Sequence, residues 1–93
     1  MNKLVSFRQY VQEVLRSATY KPCEDADCIV ALAETLPGCI TQGDTFEEAR
    51  ELLIDAIETW IVSALKDGDT LPVVNGCKLA ISEPGEDLEA VNA

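Results

Sequence analysis

Histidine is absent from this sequence, and basic residues are few. Seven lysines and arginines stand against seventeen aspartates and glutamates, a formal net charge of −10. The first absence removes the side chain that most often moves protons near neutral pH. The second argues against direct binding to DNA or RNA, where phosphate contacts require lysine and arginine. Apolar runs are short: none approaches the ~20 residues of a membrane span. The stretch MNKLVSFRQYVQEV has no uninterrupted apolar core and no cleavage-type site, so no signal peptide is expected there. CxxC pairs are also missing. Cys23, Cys28, Cys39 and Cys77 are separated by four, ten and thirty-seven residues, spacings that do not suit a zinc site. No metal or cofactor is expected. A cytoplasmic location with reduced thiols is the default. Cys23 and Cys28 nevertheless flank a hairpin turn, and a disulfide between them requires Cα atoms within about 7 Å.

The 93 residues suffice for one domain, expected over residues 1–82. The acidic tail 83–93, with Pro84-Gly85 and four carboxylates, is expected to be disordered or loosely attached. So short a chain buries a limited core, and self-association is a common remedy.

Helical spacing places Phe7, Tyr10, Val11, Val14, Leu15 and Ala18 on one face of a helix over 5–18. Ser6 is its expected cap, with Gln9 completing a capping box. A hairpin follows. Its first strand is Thr19–Glu24, where Pro22 favours an edge position because proline cannot donate to a ladder. Asp25, Ala26 and Asp27 supply the turn. The apolar run CIVALAE, Cys28–Glu34, is the expected central strand. Pro37-Gly38 breaks it, Cys39–Gln42 makes a third strand, and Gly43 stops that strand. Thr45–Lys66 is the main helix, with Thr45 and Glu48 as a capping box and Gly68 just past its C-terminus. Its apolar residues spread over about 200°, where a one-sided helix requires ~100°, so the excess is expected to be covered by the first helix or by a second subunit. Leu71–Gly76 is a loop turning at Asn-Gly, and Cys77–Ser82 alternates as a fourth strand.

The order is thus a helix, then β-β-β-α-β. Tyr20-x-Pro22-x-Glu24-Asp25, then the apolar strand, then Leu36-Pro37-Gly38-x4-Gly43-Asp44-Thr45-x-Glu47-Glu48-Ala49 resembles the HicB family of type II antitoxins. Trp60 late in the helix fits, as does Gly68-Asp69-x-Leu71-Pro72-Val73-x-x-Gly76. The resemblance spans about residues 6–81. It implies an α+β, two-layer fold, an antiparallel sheet covered on one face by the long helix, often described as a partial RNase H fold. It also implies a non-enzymatic antitoxin that occludes a small, basic HicA-type toxin, an mRNA-cleaving protein. Many members of the family add a C-terminal DNA-binding domain. SEPGEDLEAVNA is too short and too acidic for one, so no direct DNA binding is expected.

On the main helix, Glu47, Glu51, Asp55 and Glu58 share the polar arc, with Val62 isolated among them. These five are the candidate surface for a basic partner, against the plainer reading of a solvated helix face. Leu52, Ile54, Ile61 and Leu65, on the flanks of the apolar arc, are the candidate oligomer interface of a dimer or tetramer. Trp60 is expected on the sheet-facing side, where its indole N–H needs an acceptor. Glu24, Asp25 and Asp27 cluster, but in a turn, whereas a two-metal nuclease needs carboxylates converging from several elements. The competing reading is a stand-alone homo-oligomeric scaffold or binding protein of the same fold with no toxin partner, since fold alone does not fix function.

Overall fold

A computed structural model describes residues 2–24 and 26–80. Ser6 caps the first helix as expected, its Oγ accepting from the Gln9 amide at 3.1 Å. This helix, α1, runs Phe7–Arg16 and buries Tyr10, Val11 and Val14. Strands β2 (Ala18–Pro22), β3 (Ile29–Ala33) and β4 (Ile40–Gly43) follow in antiparallel order, with the apolar β3 in the centre and the Pro22 strand at an edge. Gly38, at φ 78°, turns the chain between β3 and β4. Helix α2 spans Phe46–Lys66 and lies across β3 and β4. Thr45 Oγ1 accepts from the Glu48 amide at 3.1 Å, while the Glu48 carboxylate reaches back one residue beyond the cap, to the Asp44 amide at 2.6 Å. Gly68 takes the left-handed position past the helix end, at φ 73°.

Two features differ from the expectation. The helix over 5–18 is shorter at both ends, because Lys3–Val5 forms a strand of its own, β1. The fourth strand of the expectation does not join the antiparallel sheet. Cys77–Leu79, here β5, pairs parallel with β1 in a separate two-stranded ribbon, Val5 opposite Leu79. Val5 and Leu79 are buried in the same cluster as α1 and α2. Three-residue strands carry too little periodicity to betray a partner. The fold is α+β, with both helices and both sheets sharing one core. Leu53, Ile57 and Ile61 of α2 are its centre, fully buried, each worth about 1.5–3 kcal/mol of burial.

The long loop after α2 is tied to α1 by polar contacts. The Tyr10 hydroxyl donates to the Pro72 carbonyl at 2.5 Å. Asn75, at φ 50° in the Asn-Gly turn, donates from Nδ2 to the Glu13 carbonyl and carboxylate at 3.2 and 3.1 Å. The sequence offered no sign of these tethers, which join residues about sixty positions apart.

The apolar excess expected of α2 is mostly used within the chain. Helix α1 covers the flank at Ile54, and the Pro37 segment meets Trp60 on the other. Phe46 is half exposed against Tyr20, ring centroids 4.5 Å apart.

Candidate functional site

Glu47, Glu51, Asp55, Glu58 and Val62 fall on α2 at intervals of four, four, three and four residues, so they form one stripe along the helix. All five are exposed. The stripe extends over about 22 Å at 1.5 Å per residue. Among the described residues the one ion pair joins Arg16 to Glu13 at 3.6 Å. The four carboxylates of the stripe therefore meet no cation of the described chain within 4.0 Å. Val62 is 44% exposed at the C-terminal end. The arrangement is a linear row of negative charge ending in an apolar contact point.

The four residues expected at an oligomer interface do not share one surface. Ile61 is fully buried in its own chain and has no area to offer a partner. Ile54 and Leu65 are half-buried, Ile54 beside α1 and Leu65 beside Leu71 and Leu79 of the β1–β5 side. Leu52 alone is largely open, at 44%. The helical projection failed here because it treats every flank as equally available. In the folded chain α1 and the β1–β5 ribbon occupy most of them.

A different apolar surface lies on the back of the antiparallel sheet. Ala31, Ala33 and Tyr20 face α2, and Thr41 Oγ1 donates to the Ala49 carbonyl at 3.1 Å. The alternate residues point away. Register sets Leu32 between Thr19 and Ile40, and Val30 between Lys21 and Gln42. Val30 and Leu32 are half-buried and Ile40 is 55% exposed. No element of the described chain covers this strip. One outer edge, β2, carries Lys21 and Pro22, both of which discourage strand addition. The other, β4, reads Ile40-Thr41-Gln42-Gly43 and carries no such guard. The signal was present in CIVALAE: a run apolar at both parities marks a strand with two faces to cover.

Trp60 is half-buried, and its indole N–H donates to the Pro37 carbonyl at 3.0 Å. Its expected acceptor is thus the Pro-Gly turn, which it holds against α2. Cys23 and Cys28 are joined as a disulfide across the β2–β3 turn, with Cα atoms 5.2 Å apart, in contrast to the reduced default. Cys39 and Cys77 are free and buried, and burial pushes the Cys39 thiol above its ordinary value. Among the described residues no three histidines, cysteines or carboxylates approach closely enough to hold a metal ion. Asp25 lies outside those residues, so the Glu24–Asp25–Asp27 group is described only in part. No helix there is long and apolar enough to cross a membrane.

No curated protein matches this chain. Among solved structures, TTHA0281 from Thermus thermophilus superposes with a TM-score of 0.75 at 24% identity, over 82% of this chain and 94% of that one. At that identity the likeness is one of fold. The UPF0150-like family model matches residues 9–72, from the first turn of α1 through α2 to Pro72, and the chain belongs to that family.

Proposed function

We propose that this chain is a HicB-type antitoxin that neutralises a small, basic HicA-type toxin by protein–protein contact, in the cytoplasm and without catalysis of its own. Family membership supports the class of function. The observation that carries the partner's chemistry is the exposed carboxylate row Glu47, Glu51, Asp55 and Glu58, unpaired within the described chain and ending at Val62. Such a row steers a basic protein and sets its orientation, while apolar contact supplies most of the affinity. The antitoxin acts as a homo-oligomer in this reading. The back of the sheet and the unguarded β4 edge give a second copy both apolar area and a strand to pair with.

The test is co-expression with the product of a neighbouring short reading frame that is basic and contains histidine. A stable complex should form, with an association rate that falls as salt rises. Reversing Glu51 and Asp55 to lysine together should slow association by an order of magnitude or more at low salt. An association rate insensitive to both salt and charge reversal would overturn the electrostatic part of the proposal. The second reading, a stand-alone oligomeric binding or scaffold protein, is favoured by the uncovered strip Val30–Leu32–Ile40, which suits self-association with no toxin at all. Oligomers in light scattering, together with no binding to any neighbouring product, would select it.

A further inference from the structure

Strand β4 is an outer edge of the antiparallel sheet. The Ala33 amide donates to the Cys39 carbonyl at 2.9 Å. An antiparallel ladder alternates, so Thr41 and Gly43, opposite Ala31 and Ile29, also turn their backbone groups toward β3. Ile40 and Gln42 turn an amide and a carbonyl each to the open side, and no group of the described residues bonds them there. Beside this edge runs a groove between β4 and one flank of α2. Ala56, Thr59 and Ser63 give that flank small side chains, and Ile40 and Trp60 complete the walls. Asp67 and Asp69 stand at one end. The one ion pair of the described residues lies elsewhere, so neither carboxylate has a cation of those residues within 4.0 Å. None of Glu47, Glu51, Asp55, Glu58 and Val62 lines this groove.

Unpaired edge groups beside a flank of small residues leave room for one more strand. The four residues of β4 offer about 13 Å of edge. Two occupants compete for it. A second copy that pairs β4 with β4 about a two-fold axis runs antiparallel. Asp67 and Asp69 of one copy then approach Asp44 and Glu48 at the far end of β4 in the other, between chains that each carry a net charge of −10. Juxtaposed like charges oppose that pairing. A basic segment instead meets carboxylates at both ends of the same edge. We propose that the β4 edge takes up an extended segment of a basic protein as an added strand. Its backbone pairs with Ile40 and Gln42, its apolar side chains enter the groove beside Trp60, and its lysines or arginines reach Asp67 and Asp69. This mode of binding rests on the antitoxin reading and extends it: the outer row of α2 steers the partner, and the edge retains it. A second copy keeps the back of the sheet.

The test is amide hydrogen exchange on the full chain, alone and with the basic product of the neighbouring reading frame. Alone, the Ile40 and Gln42 amides should exchange freely; in the complex both should slow by about tenfold or more. Gln42→Pro removes an outward amide and no ladder bond. It should raise the dissociation rate about tenfold and leave the association rate and its salt dependence unchanged, the opposite of charge reversal on the outer row. A short synthetic peptide alternating lysine and valine is a probe that does not depend on the toxin, and it should slow the same two amides of the parent chain. The exchange measurement needs no variant, so the question stays answerable if Gln42→Pro fails to fold. A complex in which Ile40 and Gln42 exchange as in the free chain would overturn the edge proposal and leave the antitoxin reading standing. If no complex forms, the antitoxin reading falls, and the peptide decides the edge: exchange unmoved by it would overturn the proposal. Protection in the chain alone that disappears on dilution would give the edge to a second copy and overturn it too.

Discussion

Gly43 is held by space, not by backbone conformation. Its φ lies outside the left-handed region, yet a Cβ placed on it would meet the backbone nitrogen of Ala49 at 2.6 Å, and the Ala49 Cα and Glu48 carbonyl carbon at 3.0 Å. These atoms belong to the first turn of α2, which no side-chain rotation can move. Reaching an ordinary contact of 3.4 Å requires β4 and α2 to separate by about 0.8 Å. That separation also stretches the bond from Thr41 Oγ1 to the Ala49 carbonyl, now 3.1 Å. Overpacking of this kind costs about 1–3 kcal/mol. Alanine's lower entropy when unfolded offsets about 0.4–1 kcal/mol of it. Gly43→Ala should therefore destabilise by about 1–2 kcal/mol, lowering the urea midpoint by roughly 0.3–2 M at the slopes typical of small domains. Trp60, the single tryptophan, sits on the Pro37 carbonyl, and its fluorescence reports the transition.

Gly38 gives the contrast that isolates the cause. Nothing lies within 4 Å of a Cβ there, but φ is 78°. Alanine at that position carries a conformational penalty of about 1–2 kcal/mol, and asparagine, which tolerates the left-handed region, loses less. At Gly43 the order should invert, because asparagine brings the same clashing Cβ plus three more heavy atoms. Equal rankings of Ala and Asn at the two positions, or a Gly43→Ala midpoint within about 0.2 M of the parent, would refute the steric account.

Burial raises the pKa of the Tyr10 phenol and of the Cys39 thiol above 10.0 and 9.0. Both groups hold their protons more tightly when folded, so their stabilisation is complete below those values and is lost as pH climbs past them. Thermal melts should hold steady up to that region and then fall, and Tyr10→Phe should remove the part of the fall above pH 10.0; an identical alkaline limb in the variant would contradict this. The disulfide between Cys23 and Cys28 closes a short loop, for which loop-closure entropy gives about 2 kcal/mol. Reduction should lower the urea midpoint by roughly 1–2 M without changing the far-UV spectrum, and a collapse of the fold on reduction would count against that value. Thr35 Oγ1 is buried with no hydrogen-bond partner among the described residues. Thr35→Val removes an unsatisfied hydroxyl at nearly constant shape, so it should be neutral or stabilising by up to about 1 kcal/mol; a clear loss of stability in denaturant titration would reveal a partner for the hydroxyl.

Local chemistry was legible in the sequence where one element answers to itself. Ser6 and Thr45 cap their helices because a hydroxyl at that position lies within reach of the otherwise unpaired amides of the first turn. Gly68 ends α2 because a left-handed residue must. The central position of β3 followed from an apolar run with turns on both sides. Long-range pairing was not legible. Lys3–Val5 and Cys77–Leu79 are three residues each, and their parallel register depends on β1 and β5 meeting across more than seventy positions. Likewise, Ile61 projects onto the flank of an isolated helix, and only the folded chain shows that the flank is already filled.

That failure moves the centre of the self-association question from α2 to the sheet. A helix can bury a wide apolar arc in a small domain if a second helix and a ribbon stand beside it, as α1 and β1–β5 do. Among the described residues, no element stands on the second face of the three-stranded sheet. Val30 and Leu32 are apolar at the positions that alternate away from α2, while their neighbours Lys21 and Gln42 screen them only from the sides. Had the face been selected for water alone, threonine or a charged residue at those two positions would serve the strand as well. Aliphatic residues there, next to an edge strand without lysine or proline, instead fit a surface closed by another sheet. In the proposed oligomer, replacing Leu32 with lysine should therefore leave the core around Ala31 and Ala33 intact and give a monomer in light scattering where the parent chain self-associates. Retention of the oligomer in the Leu32→Lys variant would move the interface elsewhere and return α2 to contention.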